Sequence, residues 1–299
     1  MSTSLQALTF QRLHPRAYLE RFLAEGVRPD GRGDSSWRDI SVNSGSISTA
    51  DGSALVRLGD TTIVCGVKAE VAEPDIDHPA SGFIVPNVDL SAMCSPLFKT
   101  GPPGEEAQII SQYIYGTLLS SEFLPLKSLA IEPGKAVWCL YIDAACINYD
   151  GNALDATLLA VVTALKNTQL PTATFSETTG RTTISRTLSA PLSLNFARTP
   201  SSFTFGHFKP SSSPLPNSVP ESFFLADLTS FEEPLMESTL AVVMYPNGDI
   251  GGITQTGVID TVTSLPQGER GVTGSYDAIT RATLLAKSQL ASLHKQKLM

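Results

Sequence analysis

KAVWCLYIDAACINYDGNALDATLLAVVTALKN, residues 135–167, is the stretch that decides the fold of this chain. It is apolar from Ala136 to Ile147 except for Asp143, which is typical of a strand buried on both faces of a sheet. Residues 148–152 then supply turn chemistry, and from Ala153 apolar residues recur at steps of three and four, as in a helix. The stretch therefore predicts a buried strand that leads through a short polar turn into a helix. Any chemistry is expected at that turn.

The composition excludes several classes of protein. The 299 residues, 42% hydrophobic and 17% charged, suit a folded soluble protein of one large domain or two lobes. No apolar run reaches the roughly 18 residues that span a bilayer, and the N-terminal segment lacks the apolar region of a signal peptide. A formal net charge of −8 argues against a nucleic-acid binder that works by overall electrostatics, although it allows a local basic path.

The cysteines and histidines show no spacing typical of metal ligands. Most of the cysteines lie in apolar, strand-like sequence, which predicts buried reduced thiols in an intracellular protein. We therefore predict no metal site and no cofactor. The residues concerned are Cys65, Cys94, Cys139, Cys146, His14, His78, His207 and His294.

The rest of the chain predicts a meander followed by a helix on each side of this stretch. Residues 40–70 form short β-branched runs separated by Gly/Asp turns, and Glu105 opens a helical pattern. The second half predicts a hairpin turn at Asn247-Gly248-Asp249 and a closing helix at 276–295. Its predicted strands are 192–196, 202–207, 223–228 and 239–245.

This order of elements predicts an α+β fold of two similar lobes. The predicted divisions are an N-terminal helical extension at 1–27, a first lobe at 28–190 and a second lobe at 191–299. A Ser/Pro-rich loop near 209–221 is the best candidate for a mobile insertion.

Five short segments resemble the RNase PH family when they are taken together and in order. They are RPDGR at 28–32, ADGSALV at 50–56, GDTT at 59–62, VKAE at 67–70 and YDGN at 149–152. Two more, VPNVDL at 85–90 and GPPGEEAQ at 101–108, look most like a ring subunit of the eukaryotic RNA exosome. The resemblance covers nearly the whole chain. It implies an RNase PH-like, ribosomal protein S5 domain 2-like α/β two-layer fold and a six-membered ring threaded by RNA.

The resemblance also implies where catalysis would occur, and several of those positions are changed. Family enzymes that cleave RNA by phosphorolysis need cations around phosphate and a carboxylate pair near the leaving oxygen. The family's phosphate-binding Arg-Ser falls at Gly116 and Thr117, and the arginine of its turn motif falls at Leu154. Glu233 matches the first catalytic carboxylate, and Thr239 occupies the position of the second.

The turn itself is expected to repel phosphate. Asp155 adds a carboxylate beside Asp150, and without cations the pair would face the charge of a phosphoryl transition state. A shift of the alignment by one or two residues would replace Thr239 by Glu237, but it would not restore the missing arginines.

We therefore predict a non-catalytic structural subunit of the RNA exosome core ring, which supports 3′-to-5′ RNA processing and degradation in rRNA maturation and mRNA turnover. The alternative is an active phosphate-dependent 3′-to-5′ exoribonuclease. The partners implied are other RNase PH-like ring subunits, S1/KH-domain cap subunits, the hydrolytic 3′-to-5′ exoribonuclease of the complex and single-stranded RNA, with no membrane. The implied location is the nucleus, nucleolus and cytoplasm.

Four basic residues are candidates for RNA contact. Arg28 and Arg32 flank a Pro/Gly turn, Lys68 lies in a predicted strand, and Lys99 lies on a loop stiffened by Pro and Gly. Taken singly they read as ordinary surface charges. The resemblance implies that similar cations face the central path of the ring, which makes phosphate contacts the sharper interpretation.

Overall fold

The computed structural model describes residues 2–177, 180–210, 222–258 and 273–295. Most of the predicted Ser/Pro-rich loop near 209–221 lies outside the described residues. Among the helices that are described, none combines the length and the hydrophobicity needed to cross a membrane.

The described helices and strands follow one another in an order close to the predicted one. The helices are α1 (Ser2–Leu13), α2 (Pro15–Ala24), α3 (Glu105–Ser121), α4 (Ala153–Asn167) and α5 (Thr273–Lys295). The strands of the first half are β1 (Ile40–Ser44), β2 (Gly52–Leu58), β3 (Thr61–Ala72), β4 (Phe83–Asp89), β5 (Ala130–Glu132) and β6 (Ala136–Asn148). Those that follow are β7 (Gln169–Ser176), β8 (Arg181–Pro191), β9 (Ser201–Phe208), β10 (Phe223–Ala226), β11 (Ser238–Met244) and β12 (Ile250–Gly257). Short 3-10 helices cover Leu126–Leu129, Phe196–Arg198 and Glu233–Leu235.

The first sheet is built around β6. Its strand order is β1-β2-β3-β6-β4, with β5 also paired to β6. The β3 and β6 strands are antiparallel, whereas β4 runs parallel to β6. The longest strand of the sheet is thus the one that delivers the chain to the β6–α4 turn, as residues 135–167 predict.

The second sheet has the order β10-β9-β11-β12, and β7 and β8 form a separate hairpin. The predicted turn at 247–249 joins β11 to β12, which pair antiparallel. The first sheet is formed within residues 40–148 and the second within 201–257.

Helix α4 lies between the two sheets. Its buried residues include Leu158, Val161 and Leu165, which belong to the core of the first sheet. On its other side it packs against β9. Helix α5 covers the opposite face of the second sheet, where Ala286 and Leu290 pack with Phe205 and Val242. This layered arrangement places the N-terminal end of α4 at the junction of the two lobes.

Two predictions of local structure need correction. Strand β6 is buried on both faces only in its first part, because Tyr141 and Ile147 are exposed and the covering helices lie on one face. Residues 192–196 form no strand and lead into the short helix Phe196–Arg198. Helices α1 and α2 both lie within residues 1–27, for which a helical extension is predicted.

Candidate functional site

The β6–α4 turn is pressed against the loop at 228–230 of the second lobe. Gly151 has φ +77°, and a Cβ there would lie 2.5 Å from the carbonyl carbon of Thr229. Its carbonyl oxygen accepts a hydrogen bond of 2.7 Å from the Thr61 hydroxyl, which in turn accepts one of 3.0 Å from the Asp150 amide. Only glycine meets both the positive φ and the close approach. The turn is therefore held rigidly at the lobe junction.

The carboxylate of Glu233 occupies the N-terminal end of α4. Its Oε1 accepts the backbone N–H of Asn152 at 2.7 Å, and its Oε2 accepts the Tyr149 hydroxyl at 2.5 Å. Burial raises the pKa of Glu233, although these two bonds oppose the rise. A helix N-terminus attracts anions because its N–H groups are unpaired and its dipole is positive. The chain thus supplies its own anion at this position.

Arg38 is a cation at this turn that the sequence alone does not predict. Its Nε and Nη2 donate to the two carboxylate oxygens of Asp227 at 2.9 and 2.8 Å, and its Nη1 donates to the Asp150 carbonyl at 2.6 Å and carboxylate at 3.2 Å. The expectation that Asp150 lacks a cation is therefore wrong. No local sequence pattern distinguishes Arg38, which lies just before the first strand.

The Arg38–Asp227 pair is buried and engaged. The Asp227 side chain is 0% exposed and that of Arg38 is 8% exposed. Burial alone would raise the pKa of Asp227, but hydrogen bonds and charge from Arg38 hold it below its usual value. Asn152 also donates to Asp227 at 2.8 Å. The guanidinium of Arg38 is thus committed to internal carboxylates, and little of it is available to an external anion.

Asp155 was predicted to face an incoming phosphate, and the structure shows instead that it points into the protein. Its Oδ2 accepts the Thr204 backbone N–H at 2.8 Å and the Asn152 side-chain amide at 2.9 Å, and its Oδ1 accepts the Thr204 hydroxyl at 2.8 Å. Burial raises its pKa despite these bonds. Asp155 therefore links α4 to β9 by hydrogen bonds. Its role is structural, and the prediction that it repels phosphate is wrong.

Arg28 is fully buried, so the prediction that it contacts RNA is corrected. Its side chain is 0% exposed and pairs with Glu232, to which its Nε donates at 2.9 Å. Its remaining nitrogens donate to the carbonyls of Ala226 and Asp227 at 2.6 and 2.9 Å. No surface of the guanidinium is left for a phosphate. The RPDGR segment instead fastens the start of the first lobe to the second.

Arg32 has a similar role at the edge of the same network. It donates to Asp30 at 2.6 Å, to the Asp227 carboxylate at 3.1 Å and to the Ser36 carbonyl at 3.1 Å, and its side chain is 14% exposed. These bonds leave it poorly placed for an RNA contact in this conformation.

The exposed candidates are the two lysines. Lys99 lies on the loop between β4 and α3, and Lys68 lies on the uncovered face of β3, in register with Tyr141 of β6. Among the described residues neither forms an ion pair. RNA contact by either one stays a prediction.

The positions of the family's other catalytic residues are spread over several elements. Gly116 and Thr117 line a cleft of about 240 Å³ between α3 and β12. Leu154 packs against the core of the first sheet, and Thr239 pairs within the second sheet with Gly206 and Thr256. No charged residue lines the cleft in the described part of the chain.

Glu237, the residue that a shifted alignment would place at the second carboxylate position, is already engaged. It accepts a hydrogen bond of 2.8 Å from Arg16 of α2. Nor do the described residues contain a cluster of carboxylates, cysteines and histidines that could hold a metal ion. The four cysteines are free and buried.

Comparison with known proteins identifies the family of this chain. The 3′ exoribonuclease family, domain 1 (RNase PH) matches residues 36–171. The chain is 40% identical over 248 residues to the exosome complex component rrp43 of Schizosaccharomyces pombe, covering 83% of this chain and 87% of that protein. It is 33% identical over 241 residues to the exosome complex component Rrp42 of Pyrococcus furiosus, covering 81% and 82%.

A solved structure gives the same result. A chain of the Archaeoglobus fulgidus exosome with RNA bound to the active site superposes with a TM-score of 0.73 at 26% identity, covering 94% of this chain and 96% of that one. The chain therefore belongs to the RNase PH family, and the predicted fold is confirmed.

Proposed function

We propose that this chain is a non-catalytic structural subunit of the core ring of an RNA exosome, where it supports 3′-to-5′ RNA processing and degradation. Two kinds of observation support the proposal. The relatives that match most of the chain are named as exosome complex components, and the candidate site is closed by the chain's own side chains. Its share in the work of the complex would be ring assembly and RNA threading.

The single observation that carries the loss of activity is that the described residues leave no free cation beside Glu233. Its carboxylate accepts the Asn152 N–H at the start of α4, so an incoming phosphate would have to displace a bonded anion from the end of the helix. The cations that the family places nearby are replaced by Gly116 and Leu154, and Arg38 is committed to Asp227 and Asp150. Phosphate would then meet carboxylates without a free cation to offset their charge.

The alternative, an active phosphate-dependent exoribonuclease, has less support. It would need Glu233 to leave the helix end and Arg38 to leave a buried carboxylate, and each step breaks charged hydrogen bonds. No contact in the described structure favours that rearrangement.

The finer parts of the proposal concern partners and location. We propose that the chain is flanked by other RNase PH-like subunits and works beside S1/KH-domain cap subunits, a hydrolytic 3′-to-5′ exoribonuclease and single-stranded RNA. We also propose that it is found in the nucleus, nucleolus and cytoplasm. Tagging the chain at its genomic locus, followed by imaging and mass spectrometry of what co-purifies, tests both statements.

Co-expression with one RNase PH-family subunit at a time, followed by size-exclusion chromatography, tests the proposed function. We expect the isolated chain to self-associate, because strand edges and apolar surface that a neighbour would cover are left open. With the correct neighbour it should elute as a single hetero-oligomer. A monodisperse monomer that joins no family member would contradict the proposal.

Changing Lys99 to glutamate should weaken the binding of single-stranded RNA to the assembled ring. Each phosphate contact contributes a counterion-release term, so we expect the slope of log affinity against log salt to fall by about one. A salt titration of a labelled oligonucleotide measures it. Lys127→Glu, which reverses another exposed lysine on the short helix Leu126–Leu129, is the matched control. Equal effects of the two variants would reduce Lys99 to a general surface charge.

A further inference from the structure

An exposed aromatic ring lies at the C-terminal end of α4. Phe196, which begins the short helix Phe196–Arg198, is 62% exposed. The ammonium of Lys166, in the last turn of α4, lies 5.8 Å from the centre of its ring. The other cation–π pairs of the described residues have buried or half-buried rings, so core packing accounts for them and not for Phe196. Those rings are Phe10, Phe175, Phe208, Phe224 and Tyr245.

The segment that presents this ring is fixed on both sides. Before it, the Asn195 backbone N–H donates to the carbonyl of Phe123 at 2.8 Å. After it, Thr199, which is 2% exposed, donates its hydroxyl to the Phe196 carbonyl at 2.9 Å. Because the segment is already ordered, a ligand that stacks on the ring would pay little conformational entropy to bind.

The two cations beside the ring have no carboxylate partner in the part of the chain that the structure describes. Arg198 is exposed, and its guanidinium lies 5.5 Å from the centre of the Tyr245 ring. Lys166 is half-buried, and burial lowers the pKa of its ammonium with no carboxylate to oppose the shift. A partly desolvated ammonium without a counter-charge is a group that an incoming anion would stabilise.

We propose that Phe196 is a stacking platform for a base of single-stranded RNA, and that Lys166 and Arg198 contact the phosphates next to that base. The identity of the nucleic acid rests on the proposed function. Aromatic rings with cations beside them bind single strands in this way, because every base has a π face and every linkage a charge. The 15 residues of α4 separate this platform from the β6–α4 turn by roughly 20 Å. RNA would therefore bind here while the turn stays closed.

Phe196→Ala is the direct test, because it removes an exposed ring and leaves the core intact. We expect the chain, alone and with its ring neighbour, to bind a labelled oligoadenylate at least about fivefold more weakly. Phe196→Trp should bind as the wild-type chain does, since it keeps a π face. Tyr115→Ala is the matched control: Tyr115 is also an exposed aromatic residue, at 37%, but no described cation lies over its ring. It should leave the affinity unchanged.

The role of the cations is tested by salt dependence. Arg198→Gln should reduce the slope of log affinity against log salt by about 0.7, which is the counterion-release term for one phosphate contact of a single strand. Arg281→Gln is the control. Arg281 also lies over a ring, that of Phe224 at 5.9 Å, but this ring is 5% exposed and offers no face to a base. Equal slopes for the two variants would overturn the phosphate contact.

Fluorescence of the Phe196→Trp variant, measured against the wild-type background, reports stacking at this position. Oligoadenylate should quench it, and inorganic polyphosphate, which has no bases, should not. Equal quenching by both would reduce the site to a simple anion site and overturn the inference.

Other outcomes separate this inference from the proposed function. Unchanged RNA binding by Phe196→Ala in a chain that still joins its ring neighbour would overturn the inference alone. Loss of the neighbour with RNA binding kept would assign the ring to a protein contact and also overturn it. Failure of the wild-type chain to join any ring subunit, with RNA binding that depends on Phe196, would support the inference and overturn the proposed function.

Discussion

Replacing Arg28 by methionine is expected to lower the free energy of unfolding by about 3–5 kcal/mol, because it leaves Glu232 charged, buried and unpaired. The side chains of this pair are 0% and 1% exposed. The change also removes the Arg28 donor of the Ala226 carbonyl, and an unpaired buried carbonyl adds to the cost, whereas the Asp227 carbonyl keeps its hydrogen bond from Arg32. Urea denaturation of the purified variant and the wild-type chain in the same oligomeric form measures the difference.

The control for this prediction is Arg57→Met. Arg57 also pairs with a carboxylate, Asp60 at 3.2 Å, but the two side chains are 59% and 71% exposed. Exposed pairs contribute little, so this change should shift stability by less than about 1 kcal/mol. The double variant Arg28→Met, Glu232→Leu should regain part of the loss by removing the unpaired charge. Equal stability of Arg28→Met and Arg57→Met would contradict the buried role of Arg28.

Changing Gly151 to alanine is expected to destabilise the protein by about 2–5 kcal/mol. This cost is the sum of backbone strain in a left-handed conformation and of overpacking by the added Cβ. The added Cβ would lie within 2.6 Å of main-chain atoms of Leu228, Thr229 and Ser230, and main chain cannot rotate away as a side chain can. The β6–α4 turn would have to separate from the second lobe. Thermal and urea unfolding report the loss of stability.

Gly248→Ala separates the two contributions to this effect. Gly248 has φ +86°, close to the +77° of Gly151, but a Cβ there meets no atom within 4 Å. It should cost only the backbone strain of roughly 1–2 kcal/mol. The difference between the two variants then measures the close approach of the lobes. If both variants lose the same amount, the contact between the turn and residues 228–230 has no energetic weight.

The elements that the sequence predicts well are those whose pattern is local. The apolar run before Asn148 and the three- and four-residue steps after Ala153 specify β6 and α4, because burial on one face imposes those periods. The helix that opens at Glu105 and the turn at 247–249 follow from capping charge and turn residues for the same reason.

The elements that the sequence predicts poorly depend on distant partners. Arg28 reads as a surface charge in its own segment, and it is buried only because Glu232, 204 residues away, returns to meet it. Arg38 and Asp227 are likewise 189 residues apart. No local period marks such pairs. The sequence therefore predicts the position of the turn at Asp150. The charged residues that surround this turn come from distant segments, and only the folded lobes show them together.

The central claim is that this chain holds no working phosphorolytic site, and release of nucleoside diphosphate tests it most directly. The purified chain would be incubated with single-stranded RNA, with and without inorganic phosphate, beside Thr239→Asp and Glu233→Gln variants. We predict no phosphate-dependent nucleoside diphosphate from the wild-type chain, and none from Thr239→Asp, because restoring one carboxylate supplies no cation at Gly116 or Leu154. Phosphate-dependent release by the wild-type chain that disappears in Glu233→Gln would contradict the account, since it would make Glu233 a catalytic residue and not the anion that closes the site.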